Sequence, residues 1–327
     1  MEDGASNRSL LFPSISPTCP LQSALFNDAT RVIHLIEAME TIVHIQGNTA
    51  SPLTPLFLVH AVSGLALPYF SLGSLSAEDH GPEKSRPVYG ITSPLYSCRT
   101  YRMPNSLDEI ARQYVSAIQR EVQPVGPYLL GGWSLGGMIA VKMADILQSQ
   151  GEKVLHVIMI DSVNPEYYPP FIDEAEHEAI ADMVYSNVAK KMNLPDFSDS
   201  DDMSTDADEE DDDDGVQLNA LLLRMRKHIW SSTRIISRTE PGQLLDGKCN
   251  TAVTLIKCTS LAPVVPALRL ERKAFIRKCF LHPHLRWRSR QFNRFRTVLF
   301  NAQHDDVFDP QHSGPLTVVL RNILANV

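Results

Sequence analysis

GPYLLGGWSLGGMIAVKMADILQSQGEKVLHVIMIDS, Gly126 to Ser162, is the stretch that decides the fold. Its opening YLLG is a short apolar strand. Met138 to Gln150 then has helical texture that Gly151 stops, since glycine accepts the left-handed backbone a helix end requires. VLHVIMI, Val154 to Ile160, is a continuous apolar run of the length expected for a parallel strand buried on both faces. Strand, helix and strand in this order make one parallel βαβ unit.

Working outward, the same alternation recurs. Upstream, TIVHI from Thr41, PLFLVH (Pro55 to His60) and RPVYGI (Arg86 to Ile91) are β-rich runs bounded by turn residues. Ser106 to Gln123 places Leu107, Ile110, Ala111, Tyr114 and Ile118 on one helical face, with Ser106 as N-cap. Downstream, TAVTLIK (Thr251 to Lys257) and RFRTVLF (Arg294 to Phe300) resume the sheet, and a last helix is expected from Pro315 to Ala325. Asp173 to Lys191 and Val216 to Ile236 read as helices that interrupt it. The expected architecture is α/β, a mostly parallel sheet with helices on both faces and an inserted helical lid over about residues 163–248. Residues 1–38 are read as an N-terminal extension and residues 39–327 as one domain.

The chain has 327 residues, of which 43% are hydrophobic and 21% charged, enough to bury one large core. No run of about 18 apolar residues lacks charge, and the N-terminus has neither the basic start nor the apolar stretch of a secretory signal. A cytoplasmic protein with no membrane association is expected. Five cysteines without a CxxC pair argue for free thiols rather than a disulfide framework or a metal site. The net charge of −8 hides two opposite blocks. Asp199 to Asp214 holds eleven acids and no base, so residues 195–215 are expected to form a disordered loop. Arg269 to Arg296 holds ten Arg or Lys against one acid, Glu271, but no nucleic-acid recognition motif accompanies it, and no nucleic-acid partner is expected.

Gly132-Trp133-Ser134-Leu135-Gly136 is a G-x-S-x-G motif set between a strand and a helix. A serine on such a sharp turn needs small neighbours, because the flanking backbone comes too close for a β-carbon. Ser134 is therefore the expected nucleophile. A hydroxyl attacks only when a base takes its proton and an acid orients that base. His304, in the loop after the last strand, is the expected base, with His312 as its rival. Asp161 is the expected acid, because VLHVIMI ends in it whereas TAVTLIK ends in Cys258-Thr259-Ser260. The oxyanion site is expected from two backbone amides, that of Leu135 and that of Val62 or Ala61, in the turn His60-Ala61-Val62-Ser63-Gly64. His60 itself is read as structural.

These residues resemble the thioesterases of polyketide and nonribosomal peptide assembly lines, which have the α/β-hydrolase fold. The resemblance runs from about Ile42 to the C-terminus. PLFLVHAVSG is similar to that family's strand and oxyanion turn, GPYLLGGWSLGG to its elbow, and VIMIDS to its acid-bearing strand. Two departures are HAVSG where HPAGG is frequent, and NAQHDDVF where a glycine commonly precedes the histidine. The resemblance implies that Ser134, Asp161 and His304 form the triad of a stand-alone serine thioesterase. It also implies release of an acyl, notably polyketide, chain from the phosphopantetheine of an acyl carrier protein partner, with no cofactor of the enzyme's own. The basic stripe then becomes a candidate landing surface for an acidic carrier. An esterase or lactonase of the same fold, or a non-catalytic binding protein, are the alternative readings.

Overall fold

The computed structural model describes Ile36 and residues 39–76, 81–194, 213–262 and 268–327. The expected N-terminal extension, apart from Ile36, and most of the expected acidic loop lie outside the described residues. Seven strands form one sheet: β1 (Ile42–Gln46), β2 (Leu56–Val59), β3 (Val88–Ile91), β4 (Tyr128–Trp133), β5 (Val154–Ile160), β6 (Cys249–Cys258) and β7 (Phe292–Phe300). Their spatial order is β1-β3-β2-β4-β5-β6-β7, and every pair is parallel except β1 with β3. The molecule thus has the expected α/β-hydrolase architecture.

Side chains alternate across a strand, so a sheet covered on both faces needs apolar residues at every position. In β2, Phe57 and Val59 face one core while Leu56 and Leu58 face the other; in β5, Val157 and Met159 oppose Ile158 and Ile160. The first face packs on α1 (Leu107–Glu121) and α2 (Leu135–Ser149), through residues such as Ile110, Tyr114, Ile139 and Met143. Ser106 caps α1 as expected, its hydroxyl accepting from the Glu109 amide at 3.2 Å. The second face packs on Leu316, Leu320 and Ile323 of α6 (Pro310–Leu324), which begins five residues before the start read from sequence.

Between β5 and β6 the chain leaves the sheet as α3 (Glu174–Lys191) and α4 (Asp213–Arg238). They pack on each other through Ala181, Tyr185, Leu222 and Met225. A further helix, α5 (Leu270–Leu281), was not read from the sequence. It lies in the basic stripe, and its Arg272 is buried, so the stripe is not wholly surface as its charge pattern suggested. Arg272 forks onto Glu176 of α3 at 3.1 and 3.3 Å, donates to the Pro169 and Pro170 carbonyls, and lies over the rings of Tyr168 and Phe171. It ties α5 to the start of α3. Among the described residues no helix is long and apolar enough to cross a membrane.

Candidate active site

The sheet register sets the site. Val59 pairs with Gly132, Trp133 with Ile160, and Ile160 with Ile256, so β2, β4, β5 and β6 end at one level. The residues that follow them emerge on a common edge, the C-terminal edge where parallel sheets carry their sites.

Ser134 joins β4 to α2 with φ 56° and ψ −120°, a conformation costly for a residue with a side chain. Two features hold it there. Its amide donates to the Ile160 carbonyl at 2.9 Å, and the turn is compact because a β-carbon at Gly132 would overlap the backbone of Gly136. Asp161, directly after β5, is also at positive φ, 47°. Its amide donates to the Ile256 carbonyl at 2.7 Å and its Oδ1 accepts from the Cys258 amide at 2.9 Å, which leaves Oδ2 free to face His304. His304 opens a short 3₁₀ turn after β7, with Nδ1 2.7 Å from Asp161 Oδ2 and Nε2 3.1 Å from Ser134 Oγ. The three expected residues therefore meet in one hydrogen-bonded chain. His312 does not join them; it starts α6 beside Gln311 and Phe300.

The electrostatics of the pair follow from its burial and its hydrogen bond. Burial alone would lower the His304 pKa, but the Asp161 hydrogen bond and charge outweigh it and raise it to about 9. Burial alone would raise that of Asp161, yet the His304 hydrogen bond and charge and the Cys258 amide hold it below the usual carboxylate value of 3.8. Asp161 thus stays ionised and fixes the Nδ1–H tautomer, which turns the Nε2 lone pair toward Ser134 when the ring is neutral. The Cys258 thiol beside this pair is pushed far up, by burial first and the Asp161 charge second, so it remains a thiol.

Leu135 is the first residue of α2, where an amide has no partner within the helix. Val62 is half-buried in the turn after β2 and lines the same cavity as Ser134. His60 is buried beneath this turn, with Nδ1 2.6 Å from the Ala61 carbonyl and Nε2 2.5 Å from the Tyr114 hydroxyl. Burial, reinforced by His228, depresses its pKa to about 3, which keeps it neutral and agrees with the structural role read for it. The sequence carried no motif for Tyr69, whose hydroxyl donates to the Val59 carbonyl at 2.5 Å and accepts from the Trp133 amide at 2.9 Å. This buried phenol links the end of β2 to the residue before the serine.

Ser134, Asp161 and His304 open onto a cavity of about 1030 Å³. Its walls are mainly apolar, with Ile180 and Val184 from α3, Ile236 from α4, and Phe275 and Ile276 from α5. At its rim Lys191 of α3 reaches Asp306 and Asp309 of the His304 loop at 2.8 and 2.6 Å. A serine, histidine and carboxylate in line beside a mainly apolar cavity form an arrangement suited to acyl transfer.

Comparison with known proteins agrees with this chemistry. The thioesterase-domain family model matches residues 54–326. The chain is 50% identical over 302 residues to thioesterase pynI of Aspergillus niger, covering 88% of this chain and 99% of that one. It is 42% identical to thioesterase pytI of Aspergillus terreus, covering 88% and 100%. A shorter stretch of 127 residues is 40% identical to a non-reducing polyketide synthase of Pseudevernia furfuracea, covering 38% of this chain and 6% of that protein. Among solved structures, the NocB thioesterase domain in covalent complex with a fluorophosphonate nocardicin G analog has a TM-score of 0.57 at 20% identity, covering 86% of this chain and 99% of that one, and it supports the fold. From a family model spanning most of the sequence and relatives matched over nearly their whole length, the chain belongs to the thioesterase family.

Proposed function

We propose that this thioesterase acts through a Ser134 nucleophile on an acyl thioester carried by the phosphopantetheine arm of an acyl carrier protein, in polyketide biosynthesis. The observation that carries the reading is the chain Ser134 Oγ, His304, Asp161, with separations of 3.1 and 2.7 Å. Neutral His304 takes the hydroxyl proton as Oγ attacks the thioester carbon. The charge that develops on the carbonyl oxygen is met by the amides of Leu135 and Val62. The tetrahedral intermediate expels the pantetheine thiolate, which takes the proton from His304, and leaves an acyl-serine ester. Water or a substrate hydroxyl, deprotonated by the same ring, then releases the acyl group. Each step uses side chains and backbone of this chain, and phosphopantetheine arrives with the substrate.

The carrier-bound substrate and the polyketide setting are supported by family membership and by the stretch similar to a polyketide synthase. Residues 39–327 are read as one catalytic domain in which residues 163–248, containing α3 and α4, act as a lid over the acyl cavity. Docking of an acidic carrier is assigned to the exposed arginines of the basic stripe, including Arg288 and Arg290, and not to the buried Arg272.

The test compares kcat/KM for one acyl group presented as a carrier thioester, a pantetheine thioester and a simple oxygen ester. The carrier thioester should be the best substrate. If the oxygen ester is cleaved faster than the other two, the enzyme is an esterase or lactonase of the same fold and the carrier reading fails.

A further inference from the structure

We propose that His228, on α4, is a positioning residue for acyl transfer: it anchors the Val62 carbonyl and so keeps in place the turn that carries the Val62 amide to the substrate oxygen. The inference rests on the reading that Val62 contributes to the oxyanion site.

A peptide unit is planar, so the Val62 N–H lies in the plane of the Ala61 carbonyl, while the Val62 carbonyl belongs to the next plane, hinged to the first at the Val62 Cα; the amide keeps its place only while both planes are held. The plane before it is held at the Ala61 carbonyl, which accepts from His60 Nδ1 at 2.6 Å and from the Gly64 amide at 3.0 Å. The plane after it is held at the Val62 carbonyl, which accepts from His228 Nδ1 at 2.8 Å. His228 reaches across 166 residues of sequence to do so, from a helix outside the sheet.

Two further features point the same way. Gly64 has φ +81°, and a β-carbon there would sit 2.7 Å from His228 Cδ2, so the turn is shaped around this ring. The ring is 1% exposed and lies edge-on to His60, with centroids 5.0 Å apart. Burial lowers its pKa to about 4, so it is neutral and has one proton, which the Val62 carbonyl requires on Nδ1. Nε2 is then buried with no hydrogen-bond partner among the described residues. An aliphatic side chain would fill this space without stranding a lone pair, so packing alone does not account for a histidine. Thr233 and Ile236, on the same helix, line the cavity.

The test uses the full chain with octanoyl-pantetheine as substrate. The amide nitrogen of Asn occupies the place of ring Nδ1, whereas that of Gln reaches only to the place of Nε2. His228→Asn should keep kcat within about threefold of wild type, while His228→Gln and His228→Leu lose about 10- to 100-fold in kcat with KM little changed. Equal losses in Asn and Gln, a loss confined to KM, or no loss in Gln would overturn the inference. The Asn and Gln pair suffices if the Leu variant does not fold. Ser134→Ala is run alongside. If it retains turnover, the serine reading itself fails; if it is inactive while His228→Gln matches wild type, only the positioning inference fails.

Discussion

Gly136→Ala tests whether the spacing between the two halves of the proposed oxyanion site matters to the reaction. Gly136 is the second residue of α2 and packs on the backbone at the end of β2, so it separates the helix start carrying the Leu135 amide from the turn carrying the Val62 amide. A β-carbon there would overlap the Val59 carbonyl oxygen and lie 2.7 Å from the His60 oxygen and 2.8 Å from the Val59 carbonyl carbon. These are backbone atoms and cannot rotate away. Restoring ordinary contact at about 3.4 Å parts the two segments by about 0.7 Å against His60, and by more against Val59. A misplacement of about 1 Å costs up to about 100-fold in rate, so kcat should fall by about 30- to 100-fold. Overpacking costs about 1–3 kcal/mol, a fall in Tm of about 2–6 °C, so the variant should remain folded at room temperature. The assay is kcat and KM on an acyl-pantetheine thioester beside a thermal melt. Gly81→Ala, with nothing within 4 Å of its new methyl group, is the control and should match wild type in both. A Gly136→Ala protein that melts lower yet keeps kcat within threefold would refute the dependence on spacing.

Because the His304 pKa is raised to about 9, kcat/KM for acylation should climb about tenfold per pH unit from pH 6 and level off near 9, and Asp161→Asn should move the midpoint down toward 6.5; a flat profile contradicts this. The same raised pKa makes protonated His304 stabilise the fold fully below about pH 6.5, with that contribution lost as pH rises through about 9, which melts of wild type and Asp161→Asn across this window would reveal. Arg272→Ala leaves Glu176 buried and unpaired and should cost about 3–5 kcal/mol by denaturant unfolding, whereas the double change Arg272→Met with Glu176→Leu should recover most of it. Tyr69→Phe strands the Trp133 amide and the Val59 carbonyl and should cost about 1–3 kcal/mol together with a measurable loss of kcat. If carriers dock on the basic stripe, Arg288→Glu with Arg290→Glu should reduce turnover of the carrier thioester and its salt dependence, and leave the pantetheine thioester unaffected.

The sheet was legible because its signal is local. VLHVIMI is apolar at every position but His156, its last four residues are fully buried, and the structure gives the same boundaries, Val154–Ile160, that the run itself suggests. The strained serine was legible through the glycines that the turn demands, and Asp161 and His304 through their places after strands, which the structure brings together at 2.7 Å. Helix α5 was hidden by its charges. Phe275, Ile276, Cys279 and Phe280 recur at helical spacing and face the cavity, but four of the neighbouring positions are Arg or Lys, and Arg272 looks like surface until Glu176 is found beside it. Tyr69 and His228 were not legible at all. Tyr69 bonds the Val59 carbonyl and the Trp133 amide, and His228 the Val62 carbonyl, and a backbone group has no signature in a sequence.

The most direct measurement is intact mass spectrometry of the protein after brief exposure to an acyl-pantetheine thioester, for wild type, Ser134→Ala and His304→Ala. Wild type should gain the mass of one acyl group, which peptide mapping assigns to Ser134, and neither variant should acquire it. An adduct that persists in Ser134→Ala, or turnover by that variant at the wild-type rate, would contradict a serine acyl-enzyme.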